Sequence, residues 1–340
     1  MFKRIGSRGL QFAAGIAVSA ACLWLAFRKA SLHDIWAAAS ALPAQIILLC
    51  LGFGSITLFL RAVRWRILLE AAEPVSLSVA FTVNSAGQMG NSILPARLGD
   101  VFRATNLKRA GLSTGFALAT VVAERILDAG FLVLLSSLAL TVFPGLPTWL
   151  AHAARWLAVA AALGLAVTLL LPRLENLILS VLRAWLPESL QEKISPMVAQ
   201  FLSGLRGFHD LQRAGMFLFW TAVIWILDAT GVAILAHGLS IPLRPVEAAL
   251  FLTAIALSSV IPAAPGNLGV FQYVALSVLT SFGAGQAQAL SLALILQAIT
   301  GLTLCLWGSA SLWFLSARGR QPKPAVQPSP VPVPQPHAIP

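Results

Sequence analysis

The stretches Asn91-Ser-Ile-Leu-Pro95-Ala-Arg97-Leu-Gly99-Asp100-Val-Phe102-Arg103 and Ser259-Val-Ile-Pro262-Ala-Ala-Pro265-Gly266-Asn267-Leu268-Gly269-Val-Phe271-Gln272 break two apolar segments in the same way. Each passes from a small polar residue through two aliphatics to Pro-Ala, then to Leu-Gly and on to Phe. Proline removes a backbone donor and glycine relaxes the backbone, so each stretch interrupts a helix. Inside a bilayer, interrupted backbone persists only where protein buries it or water lines it. Matched interruptions in two halves of a membrane chain point to a binding site between them.

Composition supplies the membrane setting. Of 340 residues, 58% are hydrophobic and only 10% are charged, against roughly a quarter charged in an average soluble domain. Spans of roughly 20 apolar residues and their separators use most of the length, which excludes a large soluble domain. Net charge is +11, but the Lys and Arg residues sit between apolar runs. That placement suits anionic lipid surfaces and topology control, not nucleic acid. Cys22, Cys50 and Cys305 lie within apolar runs, the five histidines are scattered, and no Walker loop is present. No disulfide framework, metal site, cofactor or ATP hydrolysis is therefore expected.

Apolar runs fall at residues 10–27, 42–60, 75–94, 115–143, 156–171, 216–237, 248–261, 268–282 and 290–315, with an amphipathic stretch at 174–213. The expected fold is an all-α polytopic integral membrane protein of six to nine membrane helices. Its two broken segments form a pseudo-repeat. Residues 1–317 make the membrane domain, and 318–340, with Pro at nearly every second position, make a disordered cytoplasmic tail. The basic Met1–Arg8 segment reads as the start of a retained first helix with a cytoplasmic N-terminus. The basic clusters at 61–66 and 97–109 are separated by one apolar run, so a full crossing would leave one of them outside. A re-entrant segment carrying Asn84, Gln88 and Asn91 removes the conflict. The expected location is the inner membrane, with both termini cytoplasmic.

Several ionisable residues lie in or beside these runs. Glu124, Arg125 and Asp128 share one, and charge at such depth needs a partner or water. Glu124 and Asp128 lie on one helix face, and Arg125 and Asp128 are spaced to pair. They read either as an ion pair locking helices together or as the wall of a polar cavity. Arg61 and Arg64 follow the second run on one face, as topology signals or as a phosphate clamp. Arg97, Asp100 and Arg103 surround the first break, where the arginines would hold an anionic headgroup and Asn91 adds a polar group. Asp228 stands alone in the sixth run and needs Arg125 or a hydrated cavity as its partner, or else a proton. In the second break, Pro262, Pro265, Gly266 and Gly269 free backbone amides, and a helix starting near Gly269 would aim its N-terminus at an anion. Asn267 and Gln272 add neutral polar groups there. The plainer reading is a tight turn between two short helices.

Four motifs recur in order: Arg61-x-x-Arg64-Trp65, Asn91 through Pro95-x-Arg97-x-Gly99-Asp100-x-x-Arg103, Glu124-Arg125-x-x-Asp128, and Pro262-x-x-Pro265-Gly266-x-x-Gly269-Val-Phe271. The chain thereby resembles the lysylphosphatidylglycerol synthase transmembrane family, also called the flippase-like domain, over residues 10–315. The resemblance implies a module that translocates lipid between leaflets, without the synthase domain of bifunctional members. Asn267 stands where that family often has a second Gly, and Gln272 where it often has an acid. The expected partners are membrane lipids, anionic or polyprenyl- and sugar-linked, and a lipid-biosynthesis enzyme. Two other classes stay open: a non-transporting accessory or scaffold that binds lipid, and a membrane glycosyltransferase.

Overall fold

In hydrocarbon, an unbroken helix satisfies all of its own backbone groups, so an apolar chain of this kind must be helical wherever lipid touches it. The computed structural model describes residues 7–94, 97–142, 152, 156, 159, 162–168, 170–259, 261 and 263–319, and among them there is no strand. Pro95, Pro262 and the Pro-rich tail from 320 onward lie outside the described residues. In chain order the helices are α1 (Ser7–Phe27), α2 (Leu32–Ser40), α3 (Ala44–Leu69), α4 (Leu77–Ile93), α5 (Leu98–Asn106), α6 (Thr114–Val142) and α7 (Ala162–Thr168). They continue with α8 (Glu175–Trp185), α9 (Glu188–Arg206), α10 (Leu211–Gly238), α11 (Pro245–Ser258), α12 (Val270–Ser281) and α13 (Gln286–Gly319).

Among the described residues, α3, α10 and α13 are each long and apolar enough to cross a membrane. Two bent pairs, α1 with α2 at 81° and α7 with the 171–185 segment at 42°, raise the total to five if each is one span. Two sequence boundaries move. The interval between the first two apolar runs, 28–41, contains α2, and Arg61, Arg64 and Arg66 lie inside α3 instead of following it. Apolar runs end at the first charges, whereas a helix continues wherever its charges find partners.

Helices α3 and α10 pack antiparallel. Gly238 meets Leu42 and Ile46, Gly231 meets Phe53, and Thr221 meets Arg64. Against this pair the two broken segments fold as helical hairpins. The first hairpin, α4–α5, starts and finishes at the C-terminal end of α3: Val75, Ala104, Leu107 and Leu112 share a buried cluster with Trp65 and Leu69. The second, α11–α12, starts and finishes at the other end, where Ala248, Val278 and Ala284 pack with Leu42 and Cys50. Their tips meet. Arg97 Nη2 donates to Ser259 Oγ at 2.8 Å, and Gly266 lies against the Ser92 carbonyl.

The tips also share a backbone device. Pro95-Ala-Arg97-Leu-Gly99 aligns with Pro265-Gly-Asn267-Leu-Gly269, and Arg97 (φ 54°) and Asn267 (φ 57°) are both left-handed. That conformation is uncommon outside glycine, asparagine and aspartate. The internal match thus runs through Pro265, not through Pro262 as the order of motifs suggested.

Glycine closes the first hairpin. A Cβ on Gly99 would lie 1.9 Å from the Gly87 carbonyl oxygen, and one on Gly87 would lie 2.3 Å from Arg103 Cγ. Gly99→Ala should therefore lower the thermal midpoint of the detergent-purified protein, at an overpacking cost of about 1–3 kcal/mol. Gly52→Ala, with nothing within 4 Å of the new methyl, should leave the midpoint unchanged or raise it. Equal midpoints for both variants would refute the close hairpin.

Candidate functional site

The centre of the bundle holds a chain of ion pairs. Arg64 on α3 is fully buried. It donates to Glu124 Oε1 at 2.7 Å and to Asp128 Oδ2 at 3.0 Å. Nη1 also bonds Asp128 Oδ1 and reaches Thr221 Oγ1 on α10 at 3.0 Å. The second oxygen of Glu124 accepts from Arg103 Nη2 on α5 at 2.8 Å. Arg125 donates to Asp100 at 3.2 Å, and Asp100 also accepts from Asn91 Nδ2 at 2.9 Å. One assembly of three arginines and three carboxylates, buried at Arg64, Arg103 and Glu124 and partly open at Arg125, therefore joins α3, α4, α5, α6 and α10. Arg64 stacks on Phe217 and Arg103 on Trp65, with guanidinium-to-ring distances of 4.7 and 4.1 Å. These ring faces add cation–π attraction where water is excluded.

A second pair lies beside it. Arg61 donates to Asp228 at 2.7 Å, and both side chains are about one-fifth exposed. The partner of Asp228 is thus Arg61, not Arg125. Arg125 and Asp128, spaced to pair along one helix, turn instead to Asp100 and Arg64 on other helices.

Arg97 is the cation that this arithmetic leaves over. It caps α5 in the left-handed conformation, its side chain is exposed, and its described partner is the neutral Ser259 hydroxyl. Around it Ile93, Leu94, Leu98, Ile261 and Leu268 are each 44–54% exposed. The junction of the tips is a charged point in an apolar rim. It is held from α13: Gln297, which donates to the Gly266 carbonyl at 2.7 Å, is 11 residues from the start of that helix. At 1.5 Å per residue that is about 17 Å, near half the hydrocarbon thickness of a bilayer.

The second tip is braced from within. Gly269 N–H, expected to face a ligand, donates to Gln272 Oε1 at 2.7 Å. Gln272 is buried and its amide nitrogen bonds Gln297. Asn267 Nδ2 donates to Ser258 Oγ at 3.1 Å, and Ala264 N–H to Ser19 Oγ on α1 at 2.7 Å. Of the expected site residues, the structure gathers Arg64, Asn91, Asp100, Arg103, Glu124, Arg125 and Asp128 into the buried assembly. Arg61 and Asp228 form the flanking pair. At the tips Arg97 meets Ser259, and Gly266, between Pro265 and Asn267, lies against the Ser92 carbonyl, with Gly99 and Gly269 in the hairpin backbones. Sequence reading missed Thr221, Ser259, Ser19 and Gln297, neutral residues whose role depends on what stands opposite them. Asn84, expected only as a polar residue of the re-entrant run, is a buried amide with no hydrogen-bond partner among the described residues.

The family model for the lysylphosphatidylglycerol synthase TM region matches residues 12–308. The chain belongs to that family. The match spans every element of the site, from α1 to the middle of α13, and gives the chain a membrane role connected with lipid. No curated protein matches the sequence.

Glu124 is the hinge of the charge network in this family member, since it neutralises Arg64 and Arg103 together. Glu124→Gln should leave two buried guanidinium groups short of a counter-charge, at a cost of about 3–5 kcal/mol. The expected outcome is a large fall in thermal midpoint and membrane yield, with Asp228→Asn in the partly exposed pair falling much less. A Glu124→Gln protein as stable as the parent would refute the network.

Proposed function

We propose that the chain carries an anionic lipid headgroup between the two leaflets, with the junction of the hairpin tips as the crossing point. The observation that carries this reading is Arg97: a cation with no carboxylate within ion-pair distance among the described residues, where hairpins entering from opposite ends of the bundle meet. A charge at the bilayer centre costs at least ~2.5 kcal/mol on insertion scales and marks a functional position by default. A phosphate would offset that cost through a bidentate, charge-assisted contact. The apolar rim around Arg97 matches the rest of such a molecule. Arg64, Arg103 and Arg125 are already neutralised, so they support the site by holding α5 and α6 in place. Glu124 and Asp128 orient those arginines. This reading therefore involves exchange down a gradient, with no ion coupled through the network.

The proposed orientation follows the charges. The α4–α5 hairpin enters from the cytoplasmic side as a re-entrant element, and α11–α12 enters from the outer side. With Cys22, Cys50 and Cys305 replaced by Ala, Lys108→Cys in intact cells should resist a membrane-impermeant maleimide, while Ser281→Cys should react. Efficient labelling at 108 would overturn the orientation.

Activity is tested with protein reconstituted into phosphatidylglycerol and phosphatidylethanolamine vesicles carrying fluorescent phosphatidylglycerol, with dithionite bleaching as the readout. The parent protein should accelerate leaflet exchange. Arg97→Asn keeps a residue that tolerates the left-handed backbone. It removes the charge and should slow exchange about tenfold, the effect of losing one charge-assisted contact. Arg97→Lys should retain most of the rate. No acceleration by the parent, or equal rates for parent and Arg97→Asn, would defeat the proposal.

A further inference from the structure

A groove opens between α3, α4 and α13. Ser55, Ile56, Phe59, Ser78, Phe81 and Trp307 line it, and its volume is about 550 Å³. That is within the ~300–1,000 Å³ range of ligand pockets. The walls are apolar, and the polar atoms are already used. Ser55 Oγ donates to the Leu51 carbonyl at 2.9 Å and accepts from Trp307 Nε1 at 3.0 Å, and the Ser78 hydroxyl pairs with that of Ser76. Phe59, Phe81 and Trp307 form a continuous aromatic wall, with ring centroids 6.0 and 5.5 Å apart. Nothing in the groove would recognise a headgroup.

The groove and the tip junction are linked through the same two helices, α4 and α13. Along the seam between α4 and α13, Phe81 faces Trp307, Met89 lies against Gly308, and Ser92 reaches Gly266 at the second tip. From Trp307 back to Gln297, which holds that tip, is ten residues of α13, or about 15 Å at the helical rise. One leaflet of a ~30 Å hydrocarbon core is the same depth, so one lipid chain spans it. We infer that the groove holds one hydrocarbon chain of the lipid whose anionic headgroup lies at Arg97. This inference rests on the headgroup reading of Arg97 and extends it to the lipid tail. The chain would run from the junction toward the C-terminal end of α3. With that end cytoplasmic, this is the pose of an outer-leaflet lipid whose headgroup has sunk to mid-membrane.

The test uses the reconstituted parent protein in phosphatidylethanolamine vesicles doped with a phosphatidylglycerol that bears a diazirine near the end of one chain. After irradiation, adducts are mapped by peptide mass spectrometry. Adducts should concentrate on peptides containing Phe59, Phe81 and Trp307, about tenfold above those at Phe219 and Leu134, which are exposed elsewhere at 61% and 66%. Ser78→Trp should fill the groove and abolish the excess without changing labelling at Phe219. Arg97→Asn should reduce groove adducts several-fold, and the phosphatidylcholine analogue should label the groove no more than the reference positions. Uniform labelling of groove and reference positions means annular lipid only and overturns the inference. Groove labelling that ignores both Arg97 and headgroup charge overturns the link between tail and headgroup. Groove labelling that follows Arg97 while the parent fails to speed leaflet exchange keeps the inference and defeats translocation, so the two failures are distinguishable.

Discussion

Arg64 holds the middle of the molecule. A guanidinium buried among helices is tolerated only when its charge is met, and here Glu124, Asp128 and Thr221 meet the charge and both terminal nitrogens from two other helices, while Nε has no hydrogen-bond partner among the described residues. Because Glu124 divides its oxygens between Arg64 and Arg103, the same contact fixes α5. That helix carries Arg97 at its N-cap, so the position of the junction follows from a charge pairing less than two turns away. A well-packed apolar contact would be as stable or more so, but it would not specify which helix faces which. Ion pairs in low dielectric penalise every wrong register, because each misplacement leaves a buried charge alone.

The second constraint is steric. The α4–α5 hairpin brings backbone against backbone at Gly87, Gly90 and Gly99, with no space for a side chain. Small residues serve this purpose in membranes because lipid removes the hydrophobic drive for helices to associate, leaving close packing and hydrogen bonds to do it. The second hairpin reaches the same outcome differently. It is braced by Gln272, Gln297 and Ser19, and it keeps its tip neutral. An acid at position 272, as the family often has, would stand beside Gln297 and the Gly269 amide, away from the arginines that could neutralise it. The neutral amide here meets both partners without a counter-charge.

What was legible in the chain was local. Hydropathy and the two Pro/Gly interruptions sufficed for a helical membrane protein with paired broken segments, because both signals lie within a few residues of one another. The co-location of Glu124 and Asp128 on one face was equally readable from their spacing. Their partners were not. Arg64 lies 60 residues from Glu124 and Arg61 lies 167 from Asp228, and nothing in either neighbourhood marks the match. Local spacing even misled, since Arg125 and Asp128 are placed to pair and do not. Asp100 and Arg64, on neighbouring helices, partner them instead. The left-handed pair Arg97 and Asn267 was written in the sequence as a repeated Pro-x-x-Leu-Gly, but the nearer Pro-Ala match through Pro262 obscured the register.

That register has a consequence for charge. The two tips adopt the same backbone turn, yet one presents a guanidinium and the other an amide. Five arginines surround the junction and the buried assembly, Arg61, Arg64, Arg97, Arg103 and Arg125, against four carboxylates, Asp100, Glu124, Asp128 and Asp228. The surplus is one positive charge, and it lies at Arg97. A headgroup with a single negative charge would bring the region to neutrality. A dianionic one would leave a net negative charge in low dielectric, and a zwitterion would add its own ammonium beside the surplus. Under the proposed reading, selectivity for a monoanionic phosphodiester thus arises from the balance of the whole assembly, with Arg97 as the residue that touches the headgroup.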